Sequence, residues 1–166
     1  MVIIETPRLY LRKFVIDDTD WLAEIYGDIE VMRYIATGVV IPYELVKKGI
    51  ERRIKGYDEG RYPEGVIISK AENKPIGHCG FGFLEDKSDV EIAYLLDKPY
   101  WGKGFATEIA SAMLQYGFDK IGYERVVGIV YSQNISSANV LKKIGMTYEK
   151  EKELWGITFQ LYSTGI

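Results

Sequence analysis

Apolar and polar positions along the chain predict one strand, then a helical stretch, then strands that alternate with helices. Up to about Phe14, the apolar residues Leu9 and Leu11 alternate with polar or charged residues, which is typical of an opening strand interrupted near Pro7. From residue 17 to about residue 60 apolar positions recur at helical spacing, with a loop before Pro42. The first third of the chain is therefore predicted to be helical after its strand.

The middle of the chain changes to short runs of β-branched residues, which favour strands. Residues 65–69 and 76–84 predict a hairpin with its turn at residues 73–74. Residues 90–96 predict a third strand, which stops before Pro99. A hairpin followed by a third strand therefore fits this region best.

The last third of the chain alternates helices with strands. Residues 104–120 predict a helix with so much apolar circumference that it should be buried, and residues 124–132 predict an interior strand covered on both faces. A short helix is expected between Asn134 and Gly145, and residues 147–162 predict two final strands. This order describes an α/β fold of mixed α+β character, a mixed sheet with helices on its faces.

Length and composition are those of a single folded domain covering residues 1–166. At about 150 residues per domain, a chain of 166 residues is most simply one domain and is long enough to bury a sizeable core. Apolar residues make up 47% and charged residues 27%, the usual profile of a soluble globular protein. The formal charge of −3 provides no global positive field, so neither nucleic acid nor a membrane is expected as a partner.

The chain offers few metal ligands. With one cysteine, Cys79, and one histidine, His78, it cannot form an intramolecular disulfide or a four-ligand Cys/His zinc site, so no metal is expected. We interpret both residues as packing residues. A charge and a proline interrupt the N-terminus before a signal-peptide core develops, and no apolar run approaches the ~18 residues of a membrane span. We therefore expect a cytoplasmic protein.

The most informative segment, residues 100–107, lies between the third middle strand and the buried helix. Side chains in place of Gly102 and Gly104 would block an approaching ligand, and consecutive amides at a helix start form a concavity for phosphate oxygens. Lys103 adds a positive charge at the rim, and Ala106 keeps the helix close to the ligand. The segment predicts a site for a pyrophosphate.

Two common phosphate motifs do not match this loop. The sequence has no Gly-Lys-Ser or Gly-Lys-Thr, as a Walker loop requires, and neither Thr107 nor Glu124 fits a dinucleotide fingerprint. A tight glycine turn with a solvated lysine is the alternative interpretation of the glycines alone. If this loop binds phosphate, the ligand is therefore expected to be a phosphate-bearing cofactor of a kind that neither of these two motifs binds.

Five segments, taken together, are specific enough to resemble a known family. They are residues 5–12 (ETPRLYLR), 91–94 (EIAY), 101–108 (WGKGFATE), 134–137 (NISS) and 140–146 (VLKKIGM). Over nearly its whole length the chain is similar to the GNAT superfamily of acetyl-CoA-dependent N-acetyltransferases, and more narrowly to its ribosomal-protein-alanine acetyltransferase-like branch. The cofactor loop of the superfamily usually begins with Gln or Arg, whereas Trp101 stands here. Pyrophosphate binding survives this departure because backbone amides make the contacts.

The resemblance implies a fold and a co-substrate. The fold is a single domain with a mixed, mostly antiparallel sheet of about seven strands, splayed between its central strands, with helices on both faces. The co-substrate is acetyl-CoA, whose pantetheine arm pairs with backbone around Leu95 and Leu96 and whose thioester oxyanion meets an amide near Leu96. The cofactor-binding residues implied are Leu95, Leu96, Trp101, Gly102, Lys103, Gly104, Phe105, Ala106, Thr107, Asn134, Ser137 and Lys143.

The same resemblance implies two catalytic residues. Glu91 matches a recurrent acid of the branch and is the first choice for a base, with a solvated strand carboxylate as the alternative. Many members place a tyrosine acid where Leu141 stands, which leaves Ser137 to hydrogen-bond or protonate the leaving thiolate, unless it only caps its helix. Tyr94 and Tyr131 are alternative acids.

The expected reaction is acetyl transfer from acetyl-CoA to a primary amine, with a protein N-terminal alanine as the leading acceptor. Deprotonating an α-amino group at pH 7 costs only about 1 kcal/mol, against about 4.6 kcal/mol for a lysine, so a weak base suffices for an N-terminus. The alternatives are a small-molecule amine, such as an aminoglycoside, polyamine or amino acid, and a noncatalytic acyl-CoA sensor. We expect a monomer or a homodimer.

The acceptor is expected to meet the helical region over residues 17–60 and the terminal strands, because these flank the far end of the splayed gap. Acidic side chains in the helical region either attract a cationic amine or are simply solvated. They include Asp17, Asp18, Asp20 and Glu24.

Overall fold

The computed structural model describes residues 1–61 and 63–165 and places eight strands among them in one mixed sheet. The strands are β1 (Val2–Glu5), β2 (Leu9–Arg12), β3 (Glu64–Ser69), β4 (Lys74–Phe83), β5 (Val90–Leu96), β6 (Arg125–Val130), β7 (Thr147–Leu154) and β8 (Ile157–Gly165). Their order across the sheet is β1-β2-β3-β4-β5-β6-β8-β7. The helices are α1 (Thr19–Tyr26), α2 (Ile29–Met32), α3 (Tyr43–Asp58), α4 (Phe105–Tyr116) and α5 (Ile135–Lys143). The mixed α/β fold that the sequence predicts is confirmed.

The opening strand is divided in two, which explains why the described part of the sheet has eight strands rather than about seven. The amide of Thr6 donates to the carbonyl oxygen of Leu9 at 2.9 Å, and this hydrogen bond closes a turn around Pro7. Proline has no amide hydrogen with which to continue a strand. β1 and β2 are therefore antiparallel neighbours, with Ile4 opposite Leu11.

The sheet is antiparallel throughout its described strands, except between β5 and β6. This parallel pair has a single register, Glu91 with Val127, whereas β6 continues alongside β8 as far as Val130 opposite Gln160. β5 and β6 therefore diverge beyond Glu91. The expected splay between the central strands is confirmed, and we call the space between them the gap.

Side-chain alternation along β5 separates two packing faces. Ile92 belongs to a core cluster that includes Ile109 and Met113 of α4 and Leu141 of α5. Leu95 lies an odd number of residues further on and points to the other face, where it packs with residues of α1 and α3. Helices therefore cover both faces of the sheet, as expected.

The helices are short. α3 spans 16 residues, and α4 ends at Tyr116, where a π-turn over Gly117–Ile121 takes up the rest of the helix predicted for residues 104–120. Within the described ranges, none of the helices combines the length and the apolarity that crossing a membrane requires.

Candidate active site

The divergence of β5 from β6 leaves one edge of β5 without a neighbouring strand. The amide of Asp97 donates to the carbonyl oxygen of Ile76 in β4 at 2.9 Å, so the backbone groups of Asp97 face β4. Successive residues of a strand present these groups to alternate edges, so those of Leu96 face the gap. The carbonyl oxygen of Leu96 accepts the indole N–H of Trp101 at 2.8 Å, and the amide of Leu96 is directed into the gap beside it.

The loop after β5, residues 101–104, contains two glycines in left-handed conformations, and we call this loop with the first turn of α4 the nest. Gly102 and Gly104 adopt left-handed φ angles of 70° and 78°, which glycine accepts without strain. A Cβ on Gly102 would meet no described atom within 4 Å, so the space beside this glycine is open to a ligand. α4 begins directly afterwards at Phe105, and no side chain caps its first amides. These amides and the helix dipole suit a diphosphate, so this part of the chain fits coenzyme A.

The other predicted residues lie in the same loop and in the first turn of α4. The Lys103 ammonium lies 5.6 Å from the centroid of the Tyr100 ring, which places its charge at the rim of the loop. Trp101 is half exposed, while Ala106 and Thr107 lie in the first turn of α4. The structure thus brings residues 101–107 together, and their contacts with a nucleotide stay predictions.

The start of α5 brings Ser137 to β5. The Oδ1 atom of Asn134 accepts the amide of Ser137 at 3.3 Å, so Asn134 is the side chain that caps this helix. The Ser137 hydroxyl lies 3.0 Å from the Tyr94 hydroxyl, which also donates to the carbonyl oxygen of Ser137 at 3.2 Å. The hydroxyl of Ser137 is therefore paired with a phenol rather than used as a helix cap. Lys143 is exposed in the last turn of α5, about 9 Å along the helix axis from Ser137.

The position where many family members carry a tyrosine acid belongs to the core in this chain. Leu141 is buried, and a Cβ added to Gly128 would come within 2.7 Å of its side chain. A phenol nevertheless reaches Ser137 from β5, in the form of Tyr94. Burial raises the pKa of Tyr94, so this phenol stays protonated and able to donate at neutral pH.

Glu91 lies where β5 and β6 are still paired, opposite Val127. An even spacing along the strand places it on the same face as Leu95, the face of α1 and α3. Burial raises the pKa of Glu91 from 4.5 to about 7. The alternative of a solvated strand carboxylate does not fit this burial. A carboxyl that titrates near neutral pH can take a proton from an amine or from a water.

The two predicted catalytic residues lie on opposite faces of the sheet. Glu91 and Tyr94 are three residues apart on β5, so Tyr94 and its partner Ser137 belong to the face of α4 and α5. The gap between β5 and β6 joins the two faces. An amine approaching from the side of Glu91 and a thiol lying on the side of Ser137 would therefore meet within the gap.

Four aromatic rings, which we call the aromatic wall, stand beyond the end of β6: Tyr34, Tyr131, Trp155 and Phe159. The ring centroids are 5.6 Å apart for Tyr34 and Tyr131, 4.8 Å for Tyr131 and Phe159, and 6.0 Å for Phe159 and Trp155. The Tyr131 hydroxyl donates to the carbonyl oxygen of Ala36 at 2.5 Å. The aromatic wall thus joins the loop after α2 to the turn between β7 and β8, on the face to which Glu91 points.

Two of the acidic residues considered for attracting an amine serve the fold instead. The buried carboxylate of Asp18 accepts two hydrogen bonds from the Arg12 guanidinium, each of 2.8 Å. Asp20 accepts the hydroxyl of Tyr43 at 2.8 Å. These partners link the start of α1 to β2 and to α3, and the Asp18 carboxylate, buried and paired with Arg12, is not free to anchor an ammonium group.

His78 and Cys79 are packing residues, as the sequence suggests. His78 shares a 2.8 Å hydrogen bond with the Tyr26 hydroxyl, and burial lowers the pKa of the imidazole to about 4. Burial also raises the pKa of the Cys79 thiol, which disfavours a reactive thiolate. Among the described residues, no group of three or more His, Cys, Asp or Glu side chains could hold a metal ion.

The sequence analysis did not identify one residue that contacts this loop, Arg8. An Nη atom of Arg8 donates to the carbonyl oxygen of Lys103 at 2.9 Å, and its Nε atom donates to Glu108 at 2.6 Å. The signal was the segment ETPRLYLR, which supports the family resemblance but had no function assigned to it.

Comparison with known proteins decides the family. A model of the GNAT acetyltransferase domain matches residues 8–147. The chain belongs to the GNAT acetyltransferase family. It is 34% identical over 146 residues to YnaD, an uncharacterized N-acetyltransferase of Bacillus subtilis, and the match covers 88% of this chain and 83% of YnaD. This GNAT protein is accordingly an N-acetyltransferase.

Solved GNAT structures share the fold over almost the full length. A GNAT-family acetyltransferase from Bacillus anthracis superposes with a TM-score of 0.80 at 29% identity, covering 98% of this chain and 96% of that one. RimL, a ribosomal L7/L12 alpha-N-protein acetyltransferase in complex with coenzyme A, superposes with a TM-score of 0.83 at 19% identity, covering 100% and 98%. At 19% identity the second likeness shows the GNAT fold alone.

Proposed function

We propose that this GNAT enzyme transfers an acetyl group from acetyl-CoA to a primary amine, with a protein N-terminal alanine as the leading acceptor. One observation carries the proposal: the gap has a phosphate nest beside one end and a partly buried carboxyl of raised pKa on the opposite face. The functional unit is a single domain, residues 1–166, acting in the cytoplasm as a monomer or a homodimer.

The co-substrate would be held mainly by backbone. Amides of residues 102–107 would bind the diphosphate, and the carbonyl oxygen of Leu96, which has a second lone pair, would accept a hydrogen bond from the pantetheine arm. The backbone groups of Leu95, two residues before Asp97, face β4 rather than the gap, so the predicted contact of Leu95 with the arm is not proposed. Asn134 and Lys143 are further proposed contacts. Acetyl-CoA supplies the activated thioester, and the residues of the gap supply orientation and proton transfer.

Glu91 would take the proton of the attacking amine, directly or through a water. Its pKa of about 7 lies close to the roughly 7.8 of an α-amino group, so the transfer is nearly balanced in free energy. A lysine side chain, with a pKa of about 10.4, would be a much poorer donor to this base. The match therefore favours an α-amine as acceptor.

Two donors would handle the negative charge of the reaction. The amide of Leu96, directed into the gap, would stabilise the charge that develops on the acetyl oxygen. The Ser137 hydroxyl would donate to the departing sulfur, while the Tyr94 hydroxyl, 3.0 Å away, would turn its one hydrogen from the carbonyl oxygen of Ser137 to Ser137 Oγ. Leaving-group stabilisation thus passes to a serine and a phenol in a chain where Leu141 occupies the usual tyrosine position.

The acceptor side offers apolar surface next to the gap in the form of the aromatic wall, which suits a peptide. A polyamine or an aminoglycoside carries several positive charges and calls for several free carboxylates. Asp18 is engaged by Arg12, whereas Asp17, Asp20 and Glu24 are exposed, so a small polycation stays the alternative acceptor. The alpha-N-protein acetyltransferase activity named for RimL agrees with a peptide as the leading acceptor.

The test is acceptor-dependent thiol release from acetyl-CoA, with products identified by mass. A lysine-free peptide beginning with alanine is compared with the same peptide already acetylated at its N-terminus, since the two differ only in the α-amine. Spermidine and an aminoglycoside complete the panel. Release with the free peptide alone supports the proposal. Release only with a small amine would replace the acceptor, and coenzyme A binding without release for any amine would indicate the sensor.

A further inference from the structure

Arg8, the residue before β2, contacts the phosphate loop, although 95 positions in the sequence separate it from Lys103. One Nη atom donates to the carbonyl oxygen of Lys103 at 2.9 Å, and the guanidinium carbon lies 4.4 Å from the centroid of the Phe105 ring. The other Nη atom would be 3.4 Å from a Cβ added to Gly104. Arg8 therefore touches the backbone, the helix start and the glycine that define the nest.

The contact with Lys103 sets the direction of an amide. In a trans peptide the C=O and N–H bonds point in opposite directions. Because the carbonyl oxygen of Lys103 points at Arg8, the N–H of Gly104 in the same peptide unit points away from Arg8. Gly104 is free to adopt its φ of 78° because it has no Cβ, so without a tether this peptide could rotate at low cost.

Arg8 is itself held in place by a second set of hydrogen bonds. Its Nε atom donates to Glu108 at 2.6 Å, its own amide donates to the same carboxylate at 3.0 Å, and the Thr6 hydroxyl does so at 2.7 Å. Burial alone would raise the pKa of Glu108, but the hydrogen bonds from Thr6 and Arg8 outweigh it and lower that pKa. Glu108 is thus a carboxylate that orients the guanidinium.

We propose that Arg8 is a positioning residue for coenzyme A: it holds the Lys103–Gly104 peptide so that the Gly104 amide points toward the diphosphate. The proposal rests on the phosphate site of the proposed function. It assigns a role to the segment ETPRLYLR, in which Thr6 and Arg8 grip one end of α4 through Glu108. A lysine cannot replace Arg8, because only the guanidinium fork reaches a carbonyl oxygen and a carboxylate in fixed geometry.

The first experiment measures the affinity of the intact protein for coenzyme A by calorimetry in the Arg8→Lys and Arg8→Ala variants. We expect both to bind coenzyme A about tenfold more weakly, because the orientation of a charge-assisted donor is lost in both. In the transfer assay the KM for acetyl-CoA should rise, while kcat and the KM for the amine stay unchanged. Arg12→Lys is the matched control, since Arg12 lies four residues further along, at the end of β2, and pairs with Asp18 instead.

Full retention of affinity in Arg8→Lys would overturn the proposal, because it would show that positive charge alone is enough. A rise in the KM for the amine, or a fall in kcat at saturating acetyl-CoA, would also contradict it. If Arg12→Lys weakens coenzyme A binding as much as Arg8→Lys does, the effect is general destabilisation and the proposal fails.

A second variant distinguishes electrostatics from positioning, because the two predict opposite changes in the affinity for coenzyme A. Glu108→Gln removes a negative charge near the diphosphate, so simple electrostatics predicts tighter binding of coenzyme A. Positioning predicts weaker binding, because Arg8 loses its anchor. Tighter binding would refute the positioning role even if the Arg8 variants failed to fold. Failure of the wild-type protein to bind coenzyme A would instead refute the proposed function, so the two failures are distinguishable.

Discussion

Replacing Glu91 with glutamine tests both the proposed base and the burial that tunes it. Burial raises the pKa of Glu91 from 4.5 to about 7. Each pKa unit corresponds to about 1.4 kcal/mol, so ionising this carboxyl in the native state costs up to about 3 kcal/mol of stability. Between pH 4.5 and about 7 the native chain keeps a proton that the unfolded chain has released, so stability falls as the pH rises through this window.

The assay is urea denaturation of wild type and Glu91→Gln from about pH 4 to about pH 8. We expect the difference in the free energy of unfolding to shift in favour of the variant by up to about 3 kcal/mol across the window, because glutamine carries no charge to bury. Glu151→Gln, which removes an exposed carboxylate from β7, is the matched control for the loss of one negative charge. A difference that stays flat across this range would refute the burial of Glu91.

Activity gives an independent reading of the same residue. For an α-amine, kcat/KM of the wild type should rise through about pH 7 as Glu91 ionises and fall above about pH 7.8, where the amine no longer carries the proton that Glu91 takes. Glu91→Gln should lose about 100-fold in kcat/KM and should instead rise through about pH 7.8, because without a base the amine must already be neutral. Coenzyme A affinity should not change. A variant that keeps the wild-type pH profile would show that Glu91 is not the base.

Three further substitutions test other parts of the site. Gly104→Glu places a side chain at a φ of 78° and a negative charge in the nest, so coenzyme A binding measured by calorimetry should be lost; unchanged affinity in the folded variant would contradict the nest. Ser137→Ala leaves the Asn134 cap intact, so kcat should fall while the melting temperature holds; equal, small effects on both would remove Ser137 from the reaction. Tyr131→Phe removes the hydrogen bond to Ala36, so the KM for the amine should rise while the KM for acetyl-CoA stays constant. A rise in the KM for acetyl-CoA alone would show that the aromatic wall contacts acetyl-CoA rather than the amine.

The helix start, the glycine loop and the central strands could be predicted because their signals are local. Gly102 and Gly104 indicate a loop that needs left-handed backbone angles, and an apolar helix follows directly. The strands over residues 65–69 and 90–96 are short β-branched runs with turns on either side. The turn at Pro7 was visible as well, but whether it only interrupts a strand or makes two depends on which strands lie beside it.

What only the tertiary structure decided are contacts between residues far apart in the chain. Neighbouring sequence does not reveal that Tyr94 meets Ser137, or that Arg8 donates to the carbonyl oxygen of Lys103. It also does not reveal that Asp18 forms an ion pair with Arg12, or that burial raises the pKa of Glu91 to about 7. A residue type and its spacing determine local backbone geometry, whereas burial and hydrogen-bond partners depend on how the strands are ordered across the sheet. The sequence alone therefore predicts the loop that we propose for the diphosphate, and the folded chain determines which side chains contact that loop and which of them are buried beside the gap.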